Sequence, residues 1–256
     1  MSRTLDQRRS PRLAEDVAMT LRQRILSGQI ADNEFLPKQE DLVAEFRVSL
    51  PSVREALRIL ETEGLITVQR GKIGGSVVHV PQTEKVAYML GLVLESRDTD
   101  VDEVVHVMSQ IEPLCVRACA ARADRASAVV PELEEIHAAS EASVDDAPTF
   151  ARLARQFHEV IITTCGSQPL IVLVGALEAL WWGQVSAAAE EIEFGALPEL
   201  VMREQSVAEH RELIDRIIAG DADGAERVAR LHQANPQRHS LLGKSLKISA
   251  APLRAN

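Results

Sequence analysis

The sequence lacks any long apolar run. No stretch approaches 18 consecutive apolar residues, and the start, MSRTLDQRRSPR, is basic and carries no apolar segment. A transmembrane helix needs about 20 predominantly apolar residues, and a secretory signal needs an apolar core behind its basic start. The sequence therefore predicts neither a membrane span nor a secretory signal, and we expect a cytoplasmic protein.

Cysteine is also scarce. Its three positions, Cys115, Cys119 and Cys165, are odd in number and include no C-x-x-C pair. This pattern does not suggest a disulfide framework. Cys115 and Cys119 are one helical turn apart, which leaves open a redox or soft-metal pair. We expect small, reduced core residues instead.

Positive charge is in deficit, with 28 Lys and Arg against 38 Asp and Glu and a net charge of −10. The deficit is uneven, since residues 1–80 balance at +1 and residues 81–256 at −11. Nine of the 12 basic residues of the first part gather in an N-terminal arm and around residues 47–72. They are Arg3, Arg8, Arg9, Arg12, Arg47, Arg54, Arg58, Arg70 and Lys72. A phosphate-facing surface is therefore compatible with the acidic total.

The 256 residues, 46% hydrophobic, suit one small and one larger domain. In the first part, apolar residues recur at helical spacing in Leu13–Leu26 and in Lys38–Phe46. After a further helix, Leu65–Gln69 and Ser76–Val80 read as two short strands around a glycine-bearing turn. This order predicts a winged helix-turn-helix.

The helix that follows the tight turn carries the strongest local signals. Ser49 is a good N-cap, Pro51 falls in the first helical turn, and Gly64 ends the helix at C′. Its apolar stripe consists of Val53, Ala56, Leu57 and Leu60. The stripe leaves Ser52, Arg54, Glu55 and Arg58 on a polar face that can enter a DNA groove.

Beyond a short polar linker the pattern is helical throughout. Helices are predicted near 85–95, 101–122, 131–143, 149–164, 169–190, 199–219 and 222–235, with Pro113 expected to kink or split the second. Seven helices with short connections predict an all-α antiparallel bundle. The fold class is therefore mainly α, a winged helix-turn-helix domain followed by this bundle. The tail is expected to be frayed or disordered after about Lys247.

Residues 11–80 resemble the DNA-binding domain of the GntR superfamily of transcription regulators. The shared landmarks include Leu36-Pro37, Val48-Ser49, the run from Val53 to Leu57, and Gly64-Leu65. The resemblance implies that the recognition helix enters the major groove and the wing tip the minor groove. It also implies that Arg54 reads a base or clamps a phosphate, that Ser49 and Ser52 bind phosphates, and that Arg70 and Gly71 form the wing contact. From the clustering of basic residues we further expect DNA contacts by Lys38, Arg47, Arg58 and Lys72.

Two positions depart from that family. Glu40 and Leu50 stand where an Arg is common, so two cationic contacts are missing. Each bidentate Arg–guanine contact supplies about 1–3 kcal/mol of base discrimination. We therefore expect an operator different from the best-known family sites, or compensation by Lys38, Arg47 and the basic arm.

Three histidines lie in separate predicted helices, His158, His210 and His232. A single histidine in such a helix is usually structural. A bundle core can bring three together, however, and neutral imidazoles suit Zn, Ni, Cu, Fe or Mn with coordination positions left open. Spacing alone leaves both interpretations open.

Residues 86–235 resemble the FCD ligand-binding domain of the FadR-like branch. The motifs are Phe157-His158, the run from His210 to Ala225, and His232. The resemblance implies one divalent metal (Zn, Ni or Mn) held by these histidines, with a small carboxylate effector on the metal. The family's Asp ligand maps to Ala154, and the Arg usually found before Glu112 is also replaced, so the site is a three-His site completed by water, or a vestige.

We therefore predict a homodimeric DNA-binding regulator, most simply a repressor, that binds a palindromic operator and a small-molecule effector. The expected domains are an arm at 1–10 that is disordered, the winged domain at 11–80, a linker at 81–85, the effector-binding and dimerisation domain at 86–235, and a partly disordered tail at 236–256. Two alternatives stay open, a metal-dependent enzyme using the three histidines and a ligand-independent DNA-binding protein. The sequence has no H-E-x-x-H motif or Gly-rich phosphate loop, which favours a regulator over an enzyme.

Overall fold

The computed structural model describes residues 9–69, 74–191, 199–234 and 246–253. Contacts divide the chain into two compact units, Met1–Gln82 and Thr83–Asn256. The first combines three helices with a hairpin and the second is helical, which confirms the predicted fold class. Each unit is described by itself.

The first unit is built on three helices, α1 (Arg9–Leu26), α2 (Gln39–Phe46) and α3 (Leu50–Thr62). Strands β1 (Ile66–Gln69) and β2 (Gly75–Val78) pair antiparallel, with Ile66 opposite Val78 and Gln69 opposite Gly75. Helix α1 begins at Arg9, inside the region expected to be a disordered arm; residues 1–8 lie outside the described part of the chain. The core is apolar and includes Leu21, Ile25, Leu42, Leu60 and Ile66.

The segment before α2 is more ordered than the predicted loop. Phe35 forms a bridge with Val77, and the backbone N–H of Leu36 donates to the carbonyl of Ser76 at 2.8 Å. Through these contacts the segment lies beside β2 as a short third member of the hairpin. They also fix where α2 begins relative to the hairpin.

The second unit consists of helices whose bounds match the predicted ones to within a few residues, together with one additional short helix. They are α4 (Thr83–Glu95), α5 (Val101–Ala121), α6 (Arg125–Ala128), α7 (Val130–Ala142), α8 (Ala147–Thr164), α9 (Gln168–Glu191), α10 (Leu200–Ala219) and α11 (Ala222–Gln233). A 3-10 turn follows at Ala251–Leu253. α5 packs along α11, and α10 packs against α7, α11 and α5.

Aspartates begin three of these helices. Asp100 forms a capping box with Glu103, and the carboxylates of Asp146 and Asp221 accept from the backbone N–H of Thr149 and Gly224. Each cap satisfies backbone donors that a helix start leaves without partners. The caps of Asp146 and Asp221 fix the starts of α8 and α11, which carry His158 and His232.

Pro113 does not split α5, which runs as one helix from Val101 to Ala121. The proline removes one backbone donor, but it is buried in the middle of a packed face. Cys115, Val116 and Cys119 continue that face into the main core of the unit. Packing on both sides of Pro113 therefore keeps the helix continuous.

The prediction that the chain frays after Lys247 is wrong for residues 248–253. Ile248 and Ala250 are buried, and the amide of Gln184 both donates to the Ser249 carbonyl at 2.7 Å and accepts from its N–H at 3.1 Å. The segment thus fills an apolar site formed by α4, α5 and α9. Its docking depends on contacts about 65 residues away, which local patterning does not reveal.

Among the described residues, one helix is long and apolar enough to cross a membrane, judged by its length and composition alone. It contains Gln168–Ala187, with a mean hydropathy of 1.5 and 22% of the window buried. Small and polar residues interrupt this run, so a search for consecutive apolar residues did not single it out. A single helix of this kind is weak evidence, since helices that pack in soluble bundles share the composition.

Candidate DNA-binding face and metal centre

Helix α3 separates an apolar face from a polar one. Val53, Ala56, Leu57 and Leu60 are buried, whereas Arg54 and Arg58 are exposed. The Ser49 hydroxyl caps the helix by accepting from the backbone N–H of Ser52 at 3.3 Å. Gly64 follows the helix with φ of +71°, a conformation in which glycine is favoured. The helix therefore presents its basic side chains outward from a fixed start and end.

The guanidinium of Arg54 is held from the neighbouring helix. Its Nε donates to Oε1 of Gln39, the first residue of α2, at 3.3 Å. Among the described residues, the terminal Nη groups of Arg54 make no hydrogen bond. The parallel donors that can pair with guanine or phosphate are therefore available.

Arg58 differs from Arg54. Its Nε and Nη2 donate to the carboxylate of Glu55 at 2.9 and 2.6 Å. This pairing lowers the pKa of Glu55 and raises the pKa of Arg58, with the hydrogen bond as the main cause of each shift. A phosphate would have to compete with Glu55 for Arg58.

Ser52 is not on the polar face as the sequence suggested. Its side chain is buried, and its hydroxyl lies 2.9 Å from that of Ser49. The Ser49 hydroxyl caps α3 by contacting both the backbone N–H and the hydroxyl of Ser52. This contact turns the Ser52 side chain toward the N-terminus of the helix and away from its polar face. Burial of the Ser52 side chain therefore argues against the predicted phosphate contact.

The other predicted contacts lie around the turn. Lys38 precedes α2 and is exposed, and Ser49 is exposed at the start of α3. Arg47 is exposed with φ of +53° and begins the three-residue turn, Arg47 to Ser49, that connects α2 to α3. The predicted wing residues Arg70, Gly71 and Lys72 lie outside the described residues.

The three histidines meet in the second unit. His158 comes from α8, His210 from α10 and His232 from α11, and one nitrogen of each lies within 4.8 Å of the others. His210 and His232 are each 1% exposed, and His158 is partly buried. His210 stacks on Phe157 with a centroid separation of 3.9 Å. Helix packing thus brings together residues up to 74 positions apart.

Two carboxylates hold the outer nitrogens of this cluster. Nδ1 of His158 lies 2.5 Å from Oε1 of Glu112, and Nδ1 of His232 lies 2.6 Å from Oε2 of Glu209. With Nδ1 donating to a carboxylate, each ring presents the lone pair of Nε2 to the centre. These two carboxylate partners were not predicted from the sequence. Glu209 precedes His210 but serves His232, so no spacing rule identified it.

The donor set fits a divalent metal. Nε2 of His158 and Nε2 of His232 face each other at 3.3 Å. Two nitrogens bound to one tetrahedral zinc ion at about 2.1 Å would be separated by about 3.4 Å. Neutral imidazoles oriented by carboxylates are the usual ligands of such ions. Ala154 lies one helical turn before His158 and offers no ligand atom.

A further carboxyl group lies close to this centre. Burial raises the pKa of Glu178 on α9 to about 8, and the charges of Glu112 and Glu159 act in the same direction. Arg155 opposes them. The Arg155 guanidinium also lies 5.3 Å from the ring centroid of Trp182, one turn after Glu178. The acidic groups of α5, α8 and α9 therefore interact electrostatically beside His158.

The cysteines are core residues. All three are buried, and Sγ of Cys119 donates to the Ile161 carbonyl at 3.3 Å. Burial raises the pKa of Cys119 to about 12 and also raises that of Cys115. Thiolates, not thiols, react and bind metals. The geometry therefore favours the structural interpretation over a redox or soft-metal pair.

Comparisons with known proteins agree with this architecture. The model of bacterial regulatory proteins of the gntR family matches residues 13–75, and that of the FCD domain matches residues 103–235. The HTH-type transcriptional repressor NanR of Salmonella newport is 28% identical over 243 residues, covering 93% of this chain and 89% of that protein. NanR of Salmonella typhi is likewise 28% identical, with 93% and 88% covered.

Among solved structures, Streptococcus agalactiae GntR is similar in fold, with a TM-score of 0.65 and 20% sequence identity. The match covers 88% of this chain and 99% of that one. At this identity the likeness establishes the fold.

Proposed function

Because the chain belongs to the GntR family of bacterial transcription regulators and carries an FCD domain, we propose that it is a repressor controlled by a small metabolite. The observation that carries the DNA-binding part is the outward face of α3, where Arg54 offers its terminal donors. The relatives named NanR are described as repressors, which supports repression over activation. A bacterial regulator of this kind acts on DNA in the cytoplasm.

On DNA, α3 lies in the major groove with Arg54 facing a base pair. A guanidinium that pairs with O6 and N7 of guanine discriminates by about 1–3 kcal/mol. Lys38, Arg47 and Ser49 flank α3 and contact phosphates, which fix its register without reading sequence. Arg58 contributes less than Arg54, because Glu55 already pairs with it. Glu40 is exposed on α2 and repels phosphates that a family arginine would bind.

In the helical unit, His158, His210 and His232 hold one divalent metal, such as Zn, Ni or Mn. The metal supplies open coordination positions for a carboxylate effector. Glu112 and Glu209 orient His158 and His232, and the fixed caps of α8 and α11 keep their registers. Ala154 leaves one more position open than an aspartate would, so water or a second effector oxygen completes the site.

The helical unit also provides the dimer contact. Helix α4 exposes Val86, Met89, Leu92 and Val93 by 40–58%, and Leu173 on α9 is 58% exposed. An apolar face of this kind on a helical bundle is a common site of association. A second copy of the unit is the partner that matches a palindromic operator.

The dimer contact is tested by Met89→Glu combined with Val93→Glu, measured by sedimentation. A shift to monomer is expected, because two charges would be buried in an apolar interface. Met19→Glu, on an equally exposed methionine of α1, is the matched control. An unchanged sedimentation coefficient in the double variant would place the dimer contact elsewhere.

Selection of DNA from a random duplex library tests the DNA-binding role. The full-length protein is expected to enrich an inverted repeat whose half-sites are centred about one helical turn apart. Each half-site should contain a guanine that Arg54→Ala no longer selects. A library that stays random after repeated rounds would refute sequence-specific binding.

A further inference from the structure

We infer that Gln39 is a positioning residue for Arg54 and thereby helps to set which base pair the protein selects. The inference rests on the proposed role of Arg54 in reading DNA. It concerns a side chain of α2, which the sequence did not single out. Gln39 acts through Arg54 rather than by touching DNA.

The geometry of the contact assigns this role. Oε1 of Gln39 accepts from Nε of Arg54 at 3.3 Å, across the corner between α2 and α3. Nε lies on the inner edge of the guanidinium, whereas recognition of guanine uses two outer N–H groups. A single acceptor on Nε therefore limits rotation of the planar group and leaves its reading edge available.

The chemistry of the acceptor matters as well. Glu55 engages both Nε and Nη2 of Arg58, which occupies that guanidinium and compensates its charge. The amide of Gln39 is neutral, so Arg54 keeps its full positive charge toward DNA. Arg54 is therefore more available to bind DNA than Arg58. The difference arises because the partner of Arg54 is an amide, whereas the partner of Arg58 is a carboxylate.

Positioning lowers the entropy that Arg54 loses when it pairs with a base. A long exposed arginine samples many rotamers, and holding one of them before binding reduces the cost of ordering it. A typical intramolecular hydrogen bond contributes about 1 kcal/mol, which corresponds to about fivefold in an equilibrium constant. The predicted effect is therefore moderate and falls on discrimination between sequences.

The experiment compares binding to two duplexes, the one that wild-type protein selects from the random library and the same duplex with the guanine facing Arg54 replaced. Gln39→Met removes the acceptor and keeps the length of the side chain. We expect the affinity ratio of the two duplexes to fall about fivefold. Gln23→Met, on the exposed face of α1, should leave the ratio unchanged.

A second arm uses the conservative variant Gln39→Glu. It keeps an acceptor oxygen but adds a negative charge that can engage both Nε and Nη2 of Arg54, as Glu55 engages Arg58. Affinity for both duplexes should therefore fall, and discrimination should not recover. Melting temperatures of all variants should match the wild type. A loss of melting temperature with equal weakening on both duplexes would overturn the inference, because it would show a role limited to the α2–α3 corner.

The Arg54→Ala background separates the two levels of the proposal. If Gln39 acts through Arg54, Gln39→Met has no further effect on the ratio in that background. An effect of the same size there would show that Gln39 contacts DNA itself, and it would overturn the positioning role while leaving the regulator intact. A ratio unchanged by Arg54→Ala alone would instead refute the proposed reading residue.

Discussion

The two units place their functional side chains in opposite environments. Arg54 and Arg58 lie on the surface of α3, whereas His210 and His232 are each 1% exposed and Glu112 is 3% exposed. An exposed helix face that carries arginines suits a ligand as large as a DNA duplex, which cannot enter a protein. A buried polar cluster suits a small ligand, because buried polar groups need fixed partners. The difference in burial between the two units therefore corresponds to a difference in the size of the ligand that suits each unit.

The largest effect is expected from removing a histidine of the buried cluster in the second unit. His210→Ala should lower metal affinity by more than about 100-fold, since loss of an outer-shell partner alone costs 10–100-fold. Wild-type protein should hold one metal per chain and gain melting temperature when Zn is added. His106→Ala, an exposed histidine of α5, is the control. Equal metal content in His210→Ala and wild type would show that the metal is not bound at this site.

On the exposed side, Arg54→Ala should weaken binding to the selected operator by about 1–3 kcal/mol. Binding to unrelated DNA should change little, because that binding depends on many phosphate contacts. Arg152→Ala in α8, another exposed arginine, is the matched control. Titration at fixed salt measures both affinities. A loss that is equal on both kinds of DNA would make Arg54 a phosphate contact.

Glu209→Gln tests whether the buried centre depends on its outer carboxylates. The amide holds His232 less strongly in the required tautomer, so metal affinity should fall about tenfold. Competition with a metal chelator measures this change. The neighbouring exposed Glu204→Gln serves as the control. Unchanged affinity would show that packing alone orients the ring.

Glu178 tests the electrostatics beside the centre through pH. Its pKa is raised to about 8 from an ordinary value of 4.5, chiefly by burial. Below pH 4.5 both folded and unfolded states are protonated, so the group has no effect. Between pH 4.5 and 8 the unfolded chain releases the proton first, and stability is progressively lost as pH rises.

Glu178→Gln should therefore raise the free energy of unfolding by on the order of 1 kcal/mol at pH 8 and leave it unchanged near pH 4. Denaturant titration at the two pH values measures the difference. Glu204→Gln should show no such dependence on pH relative to wild type. A stabilisation of equal size at both pH values would mean that packing, not ionisation, explains the effect.

Local patterns predicted the exposed face better than the buried centre. The stripe of α3, the Ser49 cap and the Gly64 stop follow from helical spacing and backbone geometry within about 15 residues. The bounds of α8, α10 and α11 followed in the same way. Helical spacing assigned Ser52 to the polar face, and this was wrong because the contact with the capping residue Ser49 buries its side chain.

The buried centre depends on contacts between distant residues. Glu112 lies 46 positions from His158 and Glu209 lies 23 from His232, so only the packing of helices brings each pair together. Resemblance to the FCD domain identified the histidines, but it gave no partner for their outer nitrogens. The docking of Ile248 and the bridge from Phe35 to Val77 were missed for the same reason.

The central claim is that this chain is a sequence-specific regulator. Genome-wide mapping of the DNA that it binds in the cell tests this claim most directly. The account predicts a small number of discrete sites that share an inverted repeat, and loss of those sites in cells carrying Arg54→Ala. Genes beside the sites would also indicate the class of effector. Binding spread along the chromosome without a shared sequence, and equal for wild type and Arg54→Ala, would contradict it.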